Sequence, residues 1–174
     1  FKSTVTDNNN QIYYLDEFIY MVEESLLKGK NILTITNYNL PKSDKFYFSN
    51  GIFNLKEKKF SGKDTKANIH KNIFARDTND PRIYGVSSKG DNDKTIIKKG
   101  IFTSCKKNND CPAWSMKSKK ITHDKKKRQL LYESSILNLY DTPVFYFPKF
   151  FHPDPTVKRK SGFLMPTFGE SKNL

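Results

Sequence analysis

The stretch from Pro143 to Gly169, PVFYFPKFFHPDPTVKRKSGFLMPTFG, limits the fold more than any other part of this 174-residue chain. Pro143, Pro148, Pro153, Pro155 and Pro166 are interleaved with Phe145, Tyr146, Phe147, Phe150, Phe151, Phe163 and Phe168. Aromatic residues suit a pleated, half-buried surface. Proline, in contrast, donates nothing to a sheet ladder, so each one marks an edge, a turn or a place where pairing stops. The segment is therefore expected at the margin of a sheet. The chain then turns to SGFLMPTFGESKNL, and more protein is expected to follow.

Upstream, apolar residues recur at spacing two between turns rich in Asn, Asp, Gly and Lys, which is the strand period. KFYFSNGIFNL sets Phe46 and Phe48, then Phe53 and Leu55, at that spacing. WSMKSKKITHD puts Trp114, Met116 and Ser118 on one face, and LLYESSILNLYD does the same for Ser135, Leu137 and Leu139. The basic turns KEKK and KKKRQ join strand pairs. Ser49 to Ile69 aligns with Ser118 to Asn138 at an offset of 69 residues, which implies stacked β-hairpins in a jellyroll or solenoid. Residues 11–29 admit two readings. Ile12, Leu15, Phe18 or Ile19, Val22 and Leu26 recur at helical spacing, while DEFIYMV and LLKGKNILTIT read as strands around an EES turn, with Phe18, Tyr20 and Val22 on one face. Tyr and Ile content and consistency with the rest favour strands. Between Lys71 and Gly100 the pattern weakens into DTNDPRIYG and SSKGDNDKT, read as a long loop joining two halves of one sheet system.

The formal net charge is +13. Such a balance suits nucleic acid, anionic lipid headgroups or acidic polysaccharide, and it also follows from an AT-rich coding bias that over-uses Lys, Asn, Ile, Phe and Tyr. No apolar run reaches the roughly 18 residues of a membrane helix, a test that β-barrel strands escape. Cys105 and Cys111 are too few for a disulfide scaffold or a zinc site, with His70, His123 and His152 scattered. They are either reduced thiols or a local bridge. His123-Asp124 and His152-Pro153-Asp154 read as turns. No Gly-rich phosphate loop, nucleophile with base or paired carboxylate is legible, so no catalytic residue, cofactor or metal is assigned and the chain is not expected to be an enzyme. Aromatic and basic residues mix in KFYFSNG and WSMKSKK, but no nucleic-acid recognition module is present.

A series of pieces in order resembles the family of the LPS-assembly protein LptD, or organic-solvent-tolerance protein OstA, in its alphaproteobacterial style. These are FTSC at Phe102–Cys105, CPAW at Cys111–Trp114, ITHD at Ile121–Asp124, LYESSILNLYDTPVFYFP at Leu131–Pro148 and HPDPTVKRKSGFLMP at His152–Pro166. The resemblance is firm from about Phe102 to Leu174; the N-terminal half fits in style. It implies an all-β chain, a half-open OstA-like β-jellyroll over residues 1–150 that runs into a junction and the first strand of an outer-membrane β-barrel over 151–174. The implied function is lipopolysaccharide transport and assembly at the outer membrane, mostly from the periplasmic side, with acyl chains riding in an apolar groove and leaving laterally without catalysis. The implied partners are lipopolysaccharide, a periplasmic bridge protein of similar jellyroll fold, a lipoprotein plug and the outer membrane, with no nucleic acid. Candidate groove residues are Phe53, Leu55, Trp114, Met116, Leu137 and Leu139. Pro166 would weaken a barrel seam for lateral exit, and Lys158, Arg159 and Lys160 would meet lipid A phosphates. Cys105 matches a jellyroll cysteine that pairs, in some members, with one near the barrel's C-terminus, so Cys105–Cys111 is a rival pairing. Two other readings stand beside this one: an envelope scaffold that touches no lipid, and a basic nucleic-acid-binding β-protein.

Overall fold

The computed structural model describes residues 1–7, 10–36, 38, 43–69, 80–105 and 113–153. Eleven strands form one antiparallel sheet: β1 (Ser3–Thr6), β2 (Gln11–Leu15), β3 (Glu17–Met21), β4 (Leu26–Thr36), β5 (Asp44–Asn54), β6 (Lys59–Asn68), β7 (Arg82–Gly90), β8 (Lys94–Thr103), β9 (Trp114–Asp124), β10 (Gln129–Leu139) and β11 (Thr142–Pro153). Neighbours follow sequence order, except that β2 and β3 share β4: β2 pairs its second half and β3 its first. The order begins at β1 and ends at β11, so the sheet is open.

What turns a flat meander into a walled structure is a change of phase inside each long strand. A regular strand points every second residue to one face. In β4 the inward residues are Leu27, Gly29, Ile32 and Thr34, with a step of three in the middle. The same step separates Phe48 from Gly51, Gly62 from Thr65, Ile97 from Gly100, Ser118 from Ile121 and Tyr132 from Ser135. Two consecutive residues therefore face outward at the step, and the strand bends there. In alternate strands the bend is made by a left-handed residue: Asn31, Asp64, Lys99 and Ser134, all with φ of 48° or 49°. Asn and Asp tolerate this region best; the lysine and serine adopt it at a local cost.

The inside of a bend has little room. Gly29, Gly51, Gly62, Gly85, Gly100, Ser118 and Ser135 occupy it, and none of the glycines has a positive φ, so these glycines provide space and not backbone freedom. A Cβ on Gly100 would stand 2.5 Å from Ile121 Cδ1, and one on Gly51 would stand 2.8 Å from Ile32 Cδ1. Each of these glycines is thus covered by a large residue across the bend, which packs the bend closely.

The left-handed residues recur 33, 35 and 35 positions apart, so the repeating unit is one hairpin. The alignment at 69 residues spans two such units and is displaced by one: Arg128 follows Lys58, the matching turn residue, by 70. A shift of one would send every side chain to the wrong face. The loop expected between Lys71 and Gly100 is corrected: β7 and the first part of β8 lie there. It escaped notice because the inward residues of β7 are Ile83, Gly85, Ser88 and Gly90, of which one is a large apolar residue. Residues 11–29 are strands, with Val22–Ser25 as the turn.

The described part of the proline-rich segment, up to Pro153, lies in the edge strand β11, which runs past residue 150. Its outer edge carries no strand among the described residues. Pro148 sits at its bend, opposite left-handed Ser134 and between the ladder pairs Glu133–Lys149 and Ser135–Phe147. A missing N–H costs least where the ladder is already interrupted.

Candidate functional site

The bends line up across the sheet and divide its inner face into two walls. Cross-strand partners place Leu27, Phe53, Phe60, Leu130 and His152 on the wall that ends in the turns at 22–25, 55–58, 91–93 and 125–128. Phe46, Ala67, Ile83, Phe102, Met116, Leu137 and Phe145 form a continuous row on the other wall. The walls face one another. Tyr13 meets Phe53 edge-on at 5.2 Å between ring centroids, and Phe102 lies 6.4 Å from Tyr132 and 6.2 Å from His152.

The space between the walls is filled at one end and open at the other. Toward β11, Ile97, Phe102, Trp114, Met116, Ile121, Leu130 and Tyr132 close into a buried cluster with Ala67 and Ile83. Toward β1, the cluster of Tyr13, Leu15, Leu27, Ile32, Phe48 and Phe53 borders a cavity of about 250 Å³. Its floor is Tyr13, Phe46, Phe48, Phe53 and Phe60, and its rim carries Lys58, Lys59 and Lys125.

Two pairs of buried hydroxyls satisfy one another, as burial demands, whereas the buried Asn138 Nδ2 has no hydrogen-bond partner among the described residues. Thr65 and Ser88 hydroxyls lie 2.7 Å apart, and Ser118 and Ser135 lie 2.8 Å apart. His152, on the edge strand, is buried and stacks on Tyr132 at 5.3 Å. Its Nδ1 lies 2.7 Å from the Pro153 carbonyl oxygen and its Nε2 lies 2.8 Å from the Tyr132 hydroxyl. A carbonyl only accepts, so Nδ1 holds the proton and, in the neutral ring, Nε2 accepts from Tyr132. Burial pushes the Tyr132 phenol well above its ordinary pKa, which keeps that donor protonated. The pair fastens the edge strand to β10.

Of the residues singled out from sequence, Phe53 belongs to the cluster at the cavity, and Leu55, in the turn after β5, packs against it. Trp114 and Met116 are in the filled cluster, with Leu137 and Leu139 partly buried against it. The candidates therefore fall into two groups at opposite ends of the interior. Cys105 Sγ lies 3.7 Å from the Trp114 carbonyl oxygen; its proposed partner Cys111 lies outside the described residues, as do Lys158, Arg159, Lys160 and Pro166. Sequence reasoning missed Tyr13, Phe60 and the Tyr132–His152 pair. Phe60 is a lone apolar residue between Lys59 and Ser61, and Tyr132 and His152 meet only through strand pairing. Asp124 caps a turn, accepting from the Lys127 N–H at 2.9 Å. Among the described residues no group of three or more His, Cys, Asp or Glu is placed to hold a metal ion. No described helix is long and apolar enough to cross a membrane, a finding without bearing on β-barrels.

No protein-family model matches the chain. Among curated proteins, it is 34% identical to the LPS-assembly protein LptD of Hahella chejuensis over 120 residues, 68% of this chain and 14% of that protein. It is 33% identical to the LptD of Nitrosococcus oceani over 100 residues, 58% of this chain and 13% of that one. The chain belongs to the LptD family. It spans about a seventh of the length of these LptD relatives. The LptD of Sodalis glossinidius matches as well, at 33% over 81 residues, 47% of this chain and 10% of the relative. Among solved structures, LptH of Pseudomonas aeruginosa, the LptA-homologous periplasmic component of its lipopolysaccharide transport device, aligns with a TM-score of 0.49 and 8% identity. That alignment covers 68% of this chain and 80% of LptH.

Proposed function

We propose that this chain is the half-open β-jellyroll of an LPS-assembly protein, and that it carries the acyl chains of lipopolysaccharide between its two walls. The observation that carries the reading is the unbroken apolar row across the strands, Phe46 to Phe145, facing a second apolar wall that parts from it at the cavity. Burial of each methylene is worth about 0.8 kcal/mol, so a dodecanoyl chain gains on the order of 8–10 kcal/mol in such a space. Because contacts between an acyl chain and these apolar side chains are non-directional, one set is exchanged for the next without a bond being made or broken. Transfer along the rows needs no catalytic group. The names of the relatives, LPS-assembly proteins, favour the same substrate.

On this reading the chain works on the periplasmic side of the outer membrane. It takes lipid from a bridge protein of similar fold and passes it toward a barrel that holds a lipoprotein plug. Phe53, Leu55, Trp114, Met116, Leu137 and Leu139 line the path, Pro166 favours lateral exit, and Lys158, Arg159 and Lys160 meet phosphates at the membrane edge. The test is a photo-crosslinking residue at Phe53 or Leu137 in living cells, with outward-facing Lys119 as control. Capture of lipopolysaccharide at the first two and not the third is expected. Stable protein with no capture at either would leave an envelope scaffold that touches no lipid.

A further inference from the structure

The mouth of the cavity differs from its floor in a way that the apolar path does not require. Behind it stand the aromatic rings of Tyr13, Phe46, Phe48, Phe53 and Phe60; at its edge stand Lys58, Lys59 and Lys125. These lysines come from the β5–β6 and β9–β10 hairpins, 67 residues apart, and are brought together by the fold alone. The rim is held in place by backbone. Lys125 N donates to the Asp93 carbonyl at 2.8 Å, and Lys125 Nζ donates to the Asp91 carbonyl at 3.0 Å, tying the β9–β10 turn to the β7–β8 turn. Two carboxylates also line this space, Asp7 and Asp91. Asp91 is committed to its own turn, where one Oδ1 accepts from the Asp93 and Lys94 N–H groups, each at 2.8 Å. Asp7 Oδ1 accepts from the Gln11 N–H at 3.2 Å on the β1–β2 side. Lys59 has an ion pair with Glu57 at 2.8 Å, exposed and therefore weak.

Resting on the reading above, we propose that this mouth is a head-group site. It takes a phosphate monoester joined to an acyl chain, with the phosphate on Lys58 and Lys125 and the chain among the rings behind them. The lipid is thereby given an orientation, phosphate at the turn rim and chain inward, that an apolar groove cannot impose. Phosphate fits better than a neutral head because it has several acceptor oxygens for two ammonium groups that come from different hairpins.

The test uses the full chain and two probes of equal chain length, hexadecyl phosphate and hexadecanol, competing against a fluorescent fatty-alcohol reporter at physiological ionic strength. Hexadecyl phosphate is expected to bind about tenfold or more tighter than hexadecanol, the effect of one or two charge-assisted hydrogen bonds. The double variant Lys58→Gln with Lys125→Gln brings the two probes within about twofold, and Lys117→Gln with Lys119→Gln, the same loss of two charges on the exposed face of β9, leaves the ratio alone. Inorganic phosphate at millimolar concentration displaces neither. Equal binding of both probes by the parent chain, or an equal loss in the Lys117→Gln, Lys119→Gln control, overturns the head-group site and leaves the apolar path standing. Displacement by phosphate alone overturns the coupling of head to chain. Failure of both probes to bind overturns the reading beneath it.

Discussion

Gly62→Ala separates two opposite expectations. In an extended strand, replacing glycine by alanine removes freedom from the unfolded chain and stabilises by about 0.5–1 kcal/mol. At Gly62 the new methyl would stand 2.9 Å from Phe48 Cε1 and 3.0 Å from Cγ, and closer still to Cδ1. Phe48 can yield only toward the cavity it borders: it is 4% exposed and packed against Phe53 and Phe60 at 5.7 and 5.9 Å between centroids, so any shift disturbs those rings too. Overpacking of this kind costs about 1–3 kcal/mol, so the net effect is a loss of about 0.5–2 kcal/mol. With a urea slope of about 2 kcal/mol/M, the unfolding midpoint falls by about 0.3–1 M. Phe48→Leu alone costs about 1–2 kcal/mol, yet it opens the space that the added methyl needs. The double variant should therefore be more stable than the two single effects predict, by about 1 kcal/mol. Urea melts of the four proteins, followed by circular dichroism, give the cycle. If Gly62→Ala matches or exceeds the parent, or if the two changes simply add, then glycine is not there to make room for the bend and the packing account fails.

Other expectations follow from the same geometry. Ser118→Ala should cost about 1–3 kcal/mol by leaving the Ser135 hydroxyl buried without its partner, whereas Ser118→Ala with Ser135→Ala should cost less than twice that; additive losses in thermal melts would contradict the pairing. Tyr132→Phe should loosen β11, because the His152 Nε2 loses its donor; amide exchange of β11 should quicken more than that of β5, and uniform exchange would refute the fastening role. Hydrogen bonds from the Lys94 and then the Asp93 N–H lower the Asp91 pKa. A lowered carboxylate pKa adds stability that is present above its unfolded value and is lost as pH falls through the folded one. The Asp93 and Lys94 amide resonances should therefore move only below the ordinary aspartate range, and a midpoint at or above 3.8 would contradict the cap.

The legible part of the chain was the part written in large apolar residues. Phe46, Phe48, Phe53 and Leu55 displayed not only the strand period but the jump of five between its two runs, which is the bend itself. The prolines of Pro143 to Pro153 marked an edge because a missing N–H is a local property of the residue. What stayed hidden was written in small residues. β7 buries Gly85, Ser88 and Gly90, whose inward direction no hydrophobic pattern reports, so a strand read as a loop. Asn31, Asp64, Lys99 and Ser134 share a backbone conformation and almost nothing chemically, so their regular spacing is invisible in composition.

The sequence by itself determined that the chain is all-β, that it runs as hairpins with basic turns, that its proline-rich segment lies at a sheet margin, and, through its motifs, the family to which it belongs. Only the tertiary structure decided that the strands bend in register, that Phe53 and Tyr13 face one another across a cavity, and that Lys58 and Lys125 share its rim. The physical reason is range. Turn chemistry and side-chain alternation act between near neighbours, whereas walls and a mouth are made by ladder pairing, which joins residues tens of positions apart and leaves no mark on either one alone.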